Sequence, residues 1–360
     1  MTDILLLGGG HTHALALLAF ASAPIKGARL TLISRETTSP YSGMLPGLVA
    51  GLYRREELLI ALDRLAERAG AHFVEAEILS IDAQAKSVET SRGLFSYDIL
   101  SIDLGSVPDR RQIAGDLSGD LAPKPLTPFL DQLYELGKAA TPLDLAVIGA
   151  GPAGVELAAA LAVRFRQKSA KIKLVADQPD LLMSLPEGAR RHARSSLERH
   201  RVELIAASVI AARTPDGLAL ADGRAIPASH VVWATGAAPG FDFTASGLPL
   251  DQRGFVQVRP TLQSTNHDKV FASGDTASFM PPLPKAGVYA VRQAPILAHN
   301  LKALVAGEPL QPYRPQTDTL VLLSTADKRA IGARNGLSAE GGWVWWLKDR
   351  IDRRFMERFP

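Results

Sequence analysis

The sequence contains no cysteine among its 360 residues, and this is its most informative absence. Without a thiol, the chain cannot form a disulfide, use a cysteine nucleophile, or hold a metal ion or an iron–sulfur cluster through cysteine ligands. His11 and His13 are close in sequence, but no further metal-ligand spacing accompanies them, so we predict no metal site. Chemistry that depends on the chain's own thiols is therefore excluded.

Long apolar runs and a large excess of charge are also absent. No apolar run reaches about 18 residues, so we expect no transmembrane helix. No basic segment precedes the first strand, so we expect no signal peptide and a cytoplasmic location. Lys and Arg (40) are mixed with Asp and Glu (37) along the chain, so a nucleic-acid partner is not expected.

The stretch Leu145 to Leu161, LAVIGAGPAGVELAAAL, carries the clearest motif. A buried parallel strand is predicted before Gly149, Gly151 and Gly154, and a helix rich in Ala and Leu after them. In a dinucleotide site these glycines allow a tight turn, backbone approach to a pyrophosphate, and close packing of helix on strand. The helix N-terminus then faces the phosphates with free N–H groups.

An imperfect copy of this motif opens the chain. The apolar run Ile4–Leu7 precedes Gly8 and Gly10, but the third glycine position holds the bulkier His13. We expect helix and strand to lie slightly further apart here, and His11 to serve helix packing or phosphate binding. Signals of a glycine loop, a second strand and a closing strand occur in the same order twice, at Gly8, Ser34 and Gly105 and again at Gly149, Ala176 and Gly236. This repeat predicts an α/β protein with two tandem Rossmann-like dinucleotide-binding domains.

Further residues extend this prediction. Ser34 stands where an acid normally binds the adenosine ribose, with Glu36 two residues on. A third strand ends in Gly274-Asp275, where a carboxylate can accept a hydrogen bond from a sugar hydroxyl. Lys285 then leads into a helix whose N-terminus would place positive potential near a ring that becomes anionic on reduction.

Two other amphipathic helices are predicted. One covers Arg54 to Ala69. The other lies near the end of the chain, where apolar residues recur every four positions at Trp343, Leu347, Ile351, Phe355 and Phe359, with Arg and Lys on the remaining faces. A basic helix carrying Trp suits a membrane interface, although Asp349, Asp352 and Glu357 weaken attraction to anionic lipid. Packing on its own domain or on a homodimer partner is the alternative.

Together, YDILSIDLGSVP, VIGAGPAGVELA, VVWATGAAPG, VFASGDTA and PKAGVYAVRQA resemble the two-dinucleotide flavoproteins that include type II NADH dehydrogenases and sulfide:quinone reductases. GGGHTHALAL, PYSGMLPGLVAG and WWLKDRIDRRFM resemble more narrowly the pyridine nucleotide-disulfide oxidoreductase branch often fused to selenophosphate synthetase. The resemblance implies that the second domain is inserted in the first. The expected parts are an FAD-binding domain (1–110 and 241–308), an NAD(P)H-binding domain (111–240), and a short C-terminal α+β segment (309–360).

The resemblance also implies FAD and NAD(P)H as cofactors and assigns residues to them. Asp275 would bind the ribityl chain, Lys285 would lie near the pyrimidine edge of the flavin, and Glu156 would lie near nicotinamide and flavin, ordering water or relaying protons. Tyr289, Arg292 and Gln293 would form the quinone-side wall. The predicted cofactor-binding residues are Gly8, Gly10, His11, Ser34, Gly105, Gly149, Gly151, Gly154, Gly236, Gly274 and Asp275.

Two departures from the family pattern limit the prediction. Ala176 occupies the position of the ribose-binding acid in the second fold, with Asp177 one residue on, so the choice between NADH and NADPH stays open. The sulfide reductases need cysteines, which this chain lacks, so their chemistry is excluded.

The leading hypothesis is hydride transfer from NAD(P)H to flavin, followed by electron transfer to a quinone-like acceptor. The C-terminal helix would bind to the inner face of a membrane. A soluble reductase of a protein or of a selenium or sulfur compound is the second hypothesis. A non-catalytic flavin-binding redox sensor is the third, and Ala176 is the residue that supports it.

Overall fold

A computed structural model describes residues 1–138, 143–316 and 318–359. The helices of these residues are α1 His11–Ser22, α2 Leu45–Val49, α3 Leu62–Arg68, α4 Leu126–Lys138, α5 Pro152–Arg164, α6 Glu187–Arg199, α7 Gly287–Ala306 and α8 Gly342–Met356.

The strands are β1 Thr2–Leu7, β2 Ala28–Ser34, β3 Thr38–Pro40, β4 Leu59–Ala61, β5 His72–Glu75, β6 Ile78–Asp82, β7 Ser87–Thr90, β8 Gly93–Ser96, β9 Ile99–Ile102, β10 Ser106–Pro108, β11 Asp144–Ile148, β12 Lys171–Val175, β13 Val202–Ile205, β14 Ile210–Thr214, β15 Gly217–Leu220, β16 Ala225–Pro227, β17 His230–Trp233, β18 Ala237–Pro239, β19 Val256–Gln257, β20 Val270–Ala272, β21 Ala277–Ser278, β22 Val321–Ser324, β23 Ala330–Arg334 and β24 Leu337–Gly341.

Two parallel sheets form the centre of the fold. The first has the strand order β20-β9-β1-β2-β5 and the second the order β13-β12-β11-β17. All neighbouring strands within them run parallel. Because β20 follows the whole second sheet in the chain, the first sheet takes its strands from both sides of the second. The predicted α/β class with two dinucleotide folds is confirmed.

Smaller sheets attach to these two. The antiparallel sheets β6-β7-β8 and β14-β15-β16 follow the third strand of each fold, and β10 pairs with β18 to join the two closing segments. The antiparallel sheet β22-β23-β24 and α8 form the C-terminal part, as predicted for an α+β segment.

The first helix is buried nearly all round. α1 reads HTHALALLAFAS, and Ala14, Leu17 and Phe20 are fully buried. It packs on α3 and α7 and shares a core with the first sheet, so apolar residues are needed on more than one face.

The prediction of one helix from Arg54 to Ala69 is wrong in its first half. Residues Arg55–Leu58 form a 3₁₀ turn, β4 follows, and only Leu62–Arg68 are α-helical. β4 pairs antiparallel with β3, and Ile60 is 1% exposed. Long-range strand pairing therefore outweighs local helix periodicity here.

The C-terminal helix is present, and its buried residues lie beside the predicted apolar stripe. α8 buries Val344, Lys348 and Asp352, one position further along the chain than the apolar stripe. Of that stripe, Trp343 is 64% exposed and Ile351 43% exposed. No helix in the described ranges is both long enough and apolar enough to cross a membrane.

We predict that Gly154→Ala destabilises the protein, because a Cβ at Gly154 would overlap the carbonyl oxygen of Gly149. The helix would have to move away from β11, at a cost of about 1–3 kcal/mol in the free energy of unfolding. Gly151→Ala is the control, since no atom lies within 4 Å of a Cβ there and φ is −74°. Urea unfolding of both variants tests this, and equal losses would contradict it.

Candidate active site

The turn after β1 requires glycine at two positions. Gly8 has φ +87°, and its N–H donates to the carbonyl of Ile33 at 2.8 Å. A Cβ on Gly8 would lie 2.5 Å from the carbonyl oxygen of Asp103, and one on Gly10 would overlap the Asp103 carboxylate. The loop therefore lies directly against the end of β9, and α1 begins immediately after it at His11.

His13 fills the third glycine position with a specific hydrogen-bonding role. Its Nδ1 lies 2.7 Å from the carbonyl oxygen of Gly8, and its Nε2 lies 2.8 Å from Oγ of Ser101. Burial lowers the pKa of His13 to about 4, so the imidazole is neutral. Because a carbonyl only accepts, Nδ1 carries the proton and Nε2 accepts from the serine hydroxyl.

Asp103 was not singled out from the sequence, yet it lies at the centre of the first loop. Its Oδ2 accepts the backbone N–H of Thr12 at 3.0 Å and that of His13 at 3.1 Å. The side chain is buried, and burial raises the pKa of Asp103 to about 6. An acid within the apolar run SIDLG was the available signal, since a charged group there needs special partners.

Ser34 ends β2 beside an open groove. The groove has a volume of about 450 Å³ and is lined by polar groups and prolines, among them Glu36, Thr38 and Pro125. Ser34 itself is 8% exposed. Glu36 lines this groove, whereas Ser34 is buried at its edge.

The Gly274-Asp275 turn closes the first site. Gly274 has φ +58°, and its N–H donates to Oε1 of Gln293 at 2.7 Å. Oδ2 of Asp275 accepts a hydrogen bond from the Ser106 hydroxyl at 2.7 Å and lies 3.4 Å from Nζ of Lys124. The carboxylate is therefore fixed in orientation by groups from other segments.

Lys285 is held just before α7. Its Nζ donates to the carbonyl of Ala277 at 2.6 Å and lies 3.8 Å from the centre of the Phe255 ring. Burial lowers the pKa of Lys285 to about 8, while Asp275 and Asp251 oppose this shift. The amine is thus mostly protonated at neutral pH and supplies a fixed positive charge.

The second glycine loop has the geometry that its motif predicts. Gly149 has φ +106°, and a Cβ there would lie 2.5 Å from the carbonyl oxygen of Ala234. A Cβ at Gly154 would overlap the carbonyl oxygen of Gly149, so α5 lies directly on the turn. Gly151 is exposed, caps α5 and has no neighbour within 4 Å of a Cβ position, which leaves its surroundings open.

The two closing glycines lie at the junction of the two folds. Gly105 precedes β10 and Gly236 precedes β18, and these strands pair with each other. The carbonyl of Gly236 accepts the N–H of Asp109 at 2.6 Å. The ends of both closing strands are thereby brought into one place.

Glu156 is a residue of α5 that contacts the C-terminal sheet. Its Oε1 accepts the N–H of Ser324 at 2.7 Å. Burial raises the pKa of Glu156 to about 7; the Lys348 charge and the Ser324 N–H oppose this, and the Asp352 carboxylate adds to it. This carboxyl group therefore exchanges a proton near neutral pH.

Lys348 and Asp352 of α8 form a buried ion pair that the sequence did not reveal. Nζ of Lys348 donates to Oδ2 of Asp352 and to the carbonyl of Gly43, both at 2.7 Å. The Tyr41 hydroxyl donates to Oδ1 of Asp352 at 3.0 Å. Phe355 stacks on Tyr41 with ring centres 4.5 Å apart. These contacts fasten α8 to the loop before α2.

The three residues predicted for the quinone side lie in the first turns of α7 with different exposure. Tyr289 is half-buried and Arg292 is exposed, whereas Gln293 is 1% exposed and binds the Gly274 N–H. The structure thus brings Gln293 under the Gly274-Asp275 turn. The backbone carbonyl of Ala290 on the same helix accepts the Thr12 hydroxyl at 3.2 Å.

These features fit two dinucleotides. Each glycine loop lies so close to a neighbouring strand that a side chain would overlap it, and each is followed by a helix N-terminus, the usual place for a pyrophosphate. Such a pair of dinucleotide folds defines the class of flavin- and pyridine-nucleotide-dependent oxidoreductases. The family described as pyridine nucleotide-disulphide oxidoreductase matches residues 2–297, and the chain belongs to it.

Relatives of known activity extend over nearly the whole chain. A type II NADH:quinone oxidoreductase of Staphylococcus aureus (strain NCTC 8325 / PS 47) is 27% identical over 98% of this chain and 94% of its own length. That of Staphylococcus saprophyticus is 27% identical over 91% of this chain and 88% of its own length. The predicted family, enzyme class, FAD and NAD(P)H are confirmed at this level, whereas the roles of individual site residues stay predictions.

Solved structures share the fold. The sulfide:quinone oxidoreductase of Aquifex aeolicus has a TM-score of 0.80 at 18% identity, covering 100% of this chain and 91% of that one. The water-forming NADH oxidase of Lactobacillus brevis, bound to NADH, has a TM-score of 0.74 at 20% identity, covering 92% and 75%. Disulfide chemistry with the chain's own residues is excluded, because it has no cysteine.

We predict that Lys348→Met strongly destabilises the protein, because it leaves Asp352 buried without its cation. Loss of one partner of a buried ion pair costs about 3–5 kcal/mol in the free energy of unfolding. Arg353→Met on the same helix is the control, since Arg353 is 45% exposed and pairs with Glu57 and Asp349 at the surface, where a pair contributes about 1 kcal/mol or less. Denaturant unfolding distinguishes the two variants. A smaller loss of unfolding free energy in the Lys348 variant than in the Arg353 variant would refute the role of the buried pair.

Proposed function

We propose that the protein oxidises NAD(P)H at its second glycine loop, reduces FAD at its first, and passes the electrons to a quinone-like acceptor. The observation that carries this proposal is the pairing of β10 with β18, which joins the two dinucleotide folds directly beyond Gly105 and Gly236. The type II NADH:quinone oxidoreductases that match nearly the full chain support the same reaction.

In this proposal the first fold binds FAD through residues of three segments. The N-terminus of α1 beyond Gly10 holds the pyrophosphate, and the groove at Glu36 takes the adenosine. Asp275, oriented by the Ser106 hydroxyl, accepts a hydrogen bond from the ribityl chain. FAD, when bound, would accept a hydride and release the electrons in a separate step. Lys285 supplies a positive charge beside the ring and thereby favours its reduced form.

The second fold binds the pyridine nucleotide at the N-terminus of α5. Its ribose would meet the end of β12, where Ala176 is fully buried and its N–H donates to Ile205 at 2.9 Å. Ala176 offers no side-chain acceptor, and Asp177 is exposed one residue on. Asp177 is thus the carboxylate available to a ribose hydroxyl, and it would disfavour a second phosphate there.

Glu156 is the residue that would hold the proton needed by a quinone. Reduction of a quinone consumes protons, and a carboxyl group with a pKa of about 7 can give one up at neutral pH. Above this pH Glu156 is increasingly ionised, so acceptor reduction should slow as pH rises through about 7.

We expect NADH to bleach the flavin absorbance in anaerobic stopped-flow mixing, and NADPH to do so more slowly because of Asp177. In Glu156→Gln the bleaching rate stays within about twofold, while reoxidation by a water-soluble quinone slows at least about tenfold and loses its fall above neutral pH. The exposed Glu308→Gln is the control and should match the wild type in both steps.

Two results would contradict the proposal in different ways. No bleaching with either nucleotide, while dithionite still reduces the flavin, would leave a flavin-binding sensor. Rapid bleaching without reoxidation by any quinone would point to the soluble reductase of another acceptor.

We propose further that α8 docks on the inner face of a membrane. Trp343 and Trp346 are 64% and 56% exposed, and Ile351 on the same helix is 43% exposed. The guanidinium of Arg350 lies 5.3 Å from the ring centre of Trp346, so a cation accompanies the exposed apolar surface. Exposed Trp beside Arg is the composition that suits a lipid headgroup boundary.

We expect the wild type to sediment with vesicles containing anionic lipid, and Trp343→Ala with Trp346→Ala to reduce the bound fraction at least about fivefold through lost apolar burial. Tyr134→Ala, which removes a 61% exposed aromatic from α4, is the control and should leave binding unchanged. Equal binding of all three proteins would refute docking through α8. A homodimer formed by this face would instead appear as a doubled mass by light scattering that the Trp changes abolish.

A further inference from the structure

Asp103 occupies a position at which a dinucleotide fold normally holds a phosphate. Its Oδ2 accepts the N–H groups of Thr12 and His13 at 3.0 and 3.1 Å, which are the second and third residues of α1. In this kind of fold the free N–H groups of the first helical turn are the anion site. A carboxylate belonging to the chain itself therefore occupies half of that site.

The carboxylate is fixed in this position by close neighbours. Cβ atoms at Gly10 or Gly274 would meet the carboxylate itself, the latter 2.5 Å from Oδ1. The N–H of Gly274 is in turn held by Gln293 at 2.7 Å. Asp103 is 3% exposed and cannot turn away from α1 when a ligand arrives.

The N–H groups left for a pyrophosphate are those of Gly10 and His11. Neither donates a backbone hydrogen bond within the described part of the chain. A pyrophosphate bound there lies beside the Asp103 carboxylate on the same helical turn. Two anions in adjacent positions repel each other strongly when both are shielded from water.

We propose that Asp103 is a positioning residue that shares the α1 anion site with the FAD pyrophosphate, so that FAD binding takes up a proton on Asp103 and weakens as pH rises. The inference rests on the proposed FAD site and adds a control on flavin affinity. Once protonated, the carboxyl can still accept both N–H groups through one oxygen and donate from the other to a phosphate oxygen.

The neighbouring charges agree with this role. Burial raises the pKa of Asp103 to about 6, Asp275 adds to the shift, and His11 together with the Thr12 and His13 N–H groups opposes it. Burial also lowers the pKa of His11, with Lys124 acting in the same direction and Asp103 and Asp275 against it. His13 is neutral, with a pKa of about 4. The pyrophosphate raises the Asp103 pKa further, so affinity is highest below about pH 6 and falls above it.

The test is the release of FAD from the diluted holoprotein, followed by the fluorescence of free FAD, from about pH 5.5 to about pH 8. The pyrophosphate of FAD keeps both charges throughout this range. We expect the wild-type Kd to rise about five- to tenfold across it. Asp103→Asn keeps the shape and an oxygen acceptor but removes the charge, and should bind FAD about tenfold more tightly at pH 8 with little pH dependence.

Asp98→Asn is the matched control, an exposed acid at the opposite end of β9 whose Oδ2 accepts the Asp3 N–H at 2.8 Å. It should reproduce the wild-type curve. His11→Gln should keep the pH dependence, and a flat curve in that variant would assign the proton to His11 and overturn the inference.

A flat wild-type curve would also overturn the inference, whether or not Asp103→Asn folds. So would an Asp103→Asn protein that binds FAD more weakly with the wild-type slope, because Asp103 would then be purely structural. A protein that binds no FAD at any pH overturns the proposed function itself, which separates the two failures.

Discussion

Direct contact of backbone with backbone, with no side chain between, is the constraint on which both halves of the structure depend. At the second loop, α5 lies on the Gly149 carbonyl because residue 154 has no Cβ. At the first loop, Gly8 lies against the Asp103 backbone in the same way, and Gly10 lies against the Asp103 carboxylate. In the proposed function these tight turns bring the helix N-termini to the phosphates, and a displaced helix would leave its N–H groups too far away.

Much of this architecture was predictable because glycine loops and buried parallel strands are local signals. The repeated order of loop, second strand and closing strand identified both folds. The failure at Arg54 to Ala69 has a clear cause, since residues Leu59–Ala61 pair with Thr38–Pro40. The helical periodicity of a segment carries no information about its pairing with a strand elsewhere in the chain.

The site was predictable only where a motif marks it. A motif marks Gly274 and Asp275, whose cofactor roles stay predictions. Asp103 and Lys348 make their contacts with residues 90 or more positions away, at His13 and Gly43. The buried positions of α8, one residue on from the apolar stripe, could not be read from hydrophobic periodicity, because Lys348 and Asp352 neutralise each other there. A charged pair with every group satisfied can be buried where an apolar stripe would be expected.

The strand order of the first sheet also determines when its site can exist. During synthesis the second sheet is complete once β17, ending at Trp233, has left the ribosome. The first sheet still lacks its edge strand β20, and the Asp275 turn and α7 follow later. Domains fold as units while the chain emerges. The strands of the second sheet have therefore all emerged before the first sheet can be completed.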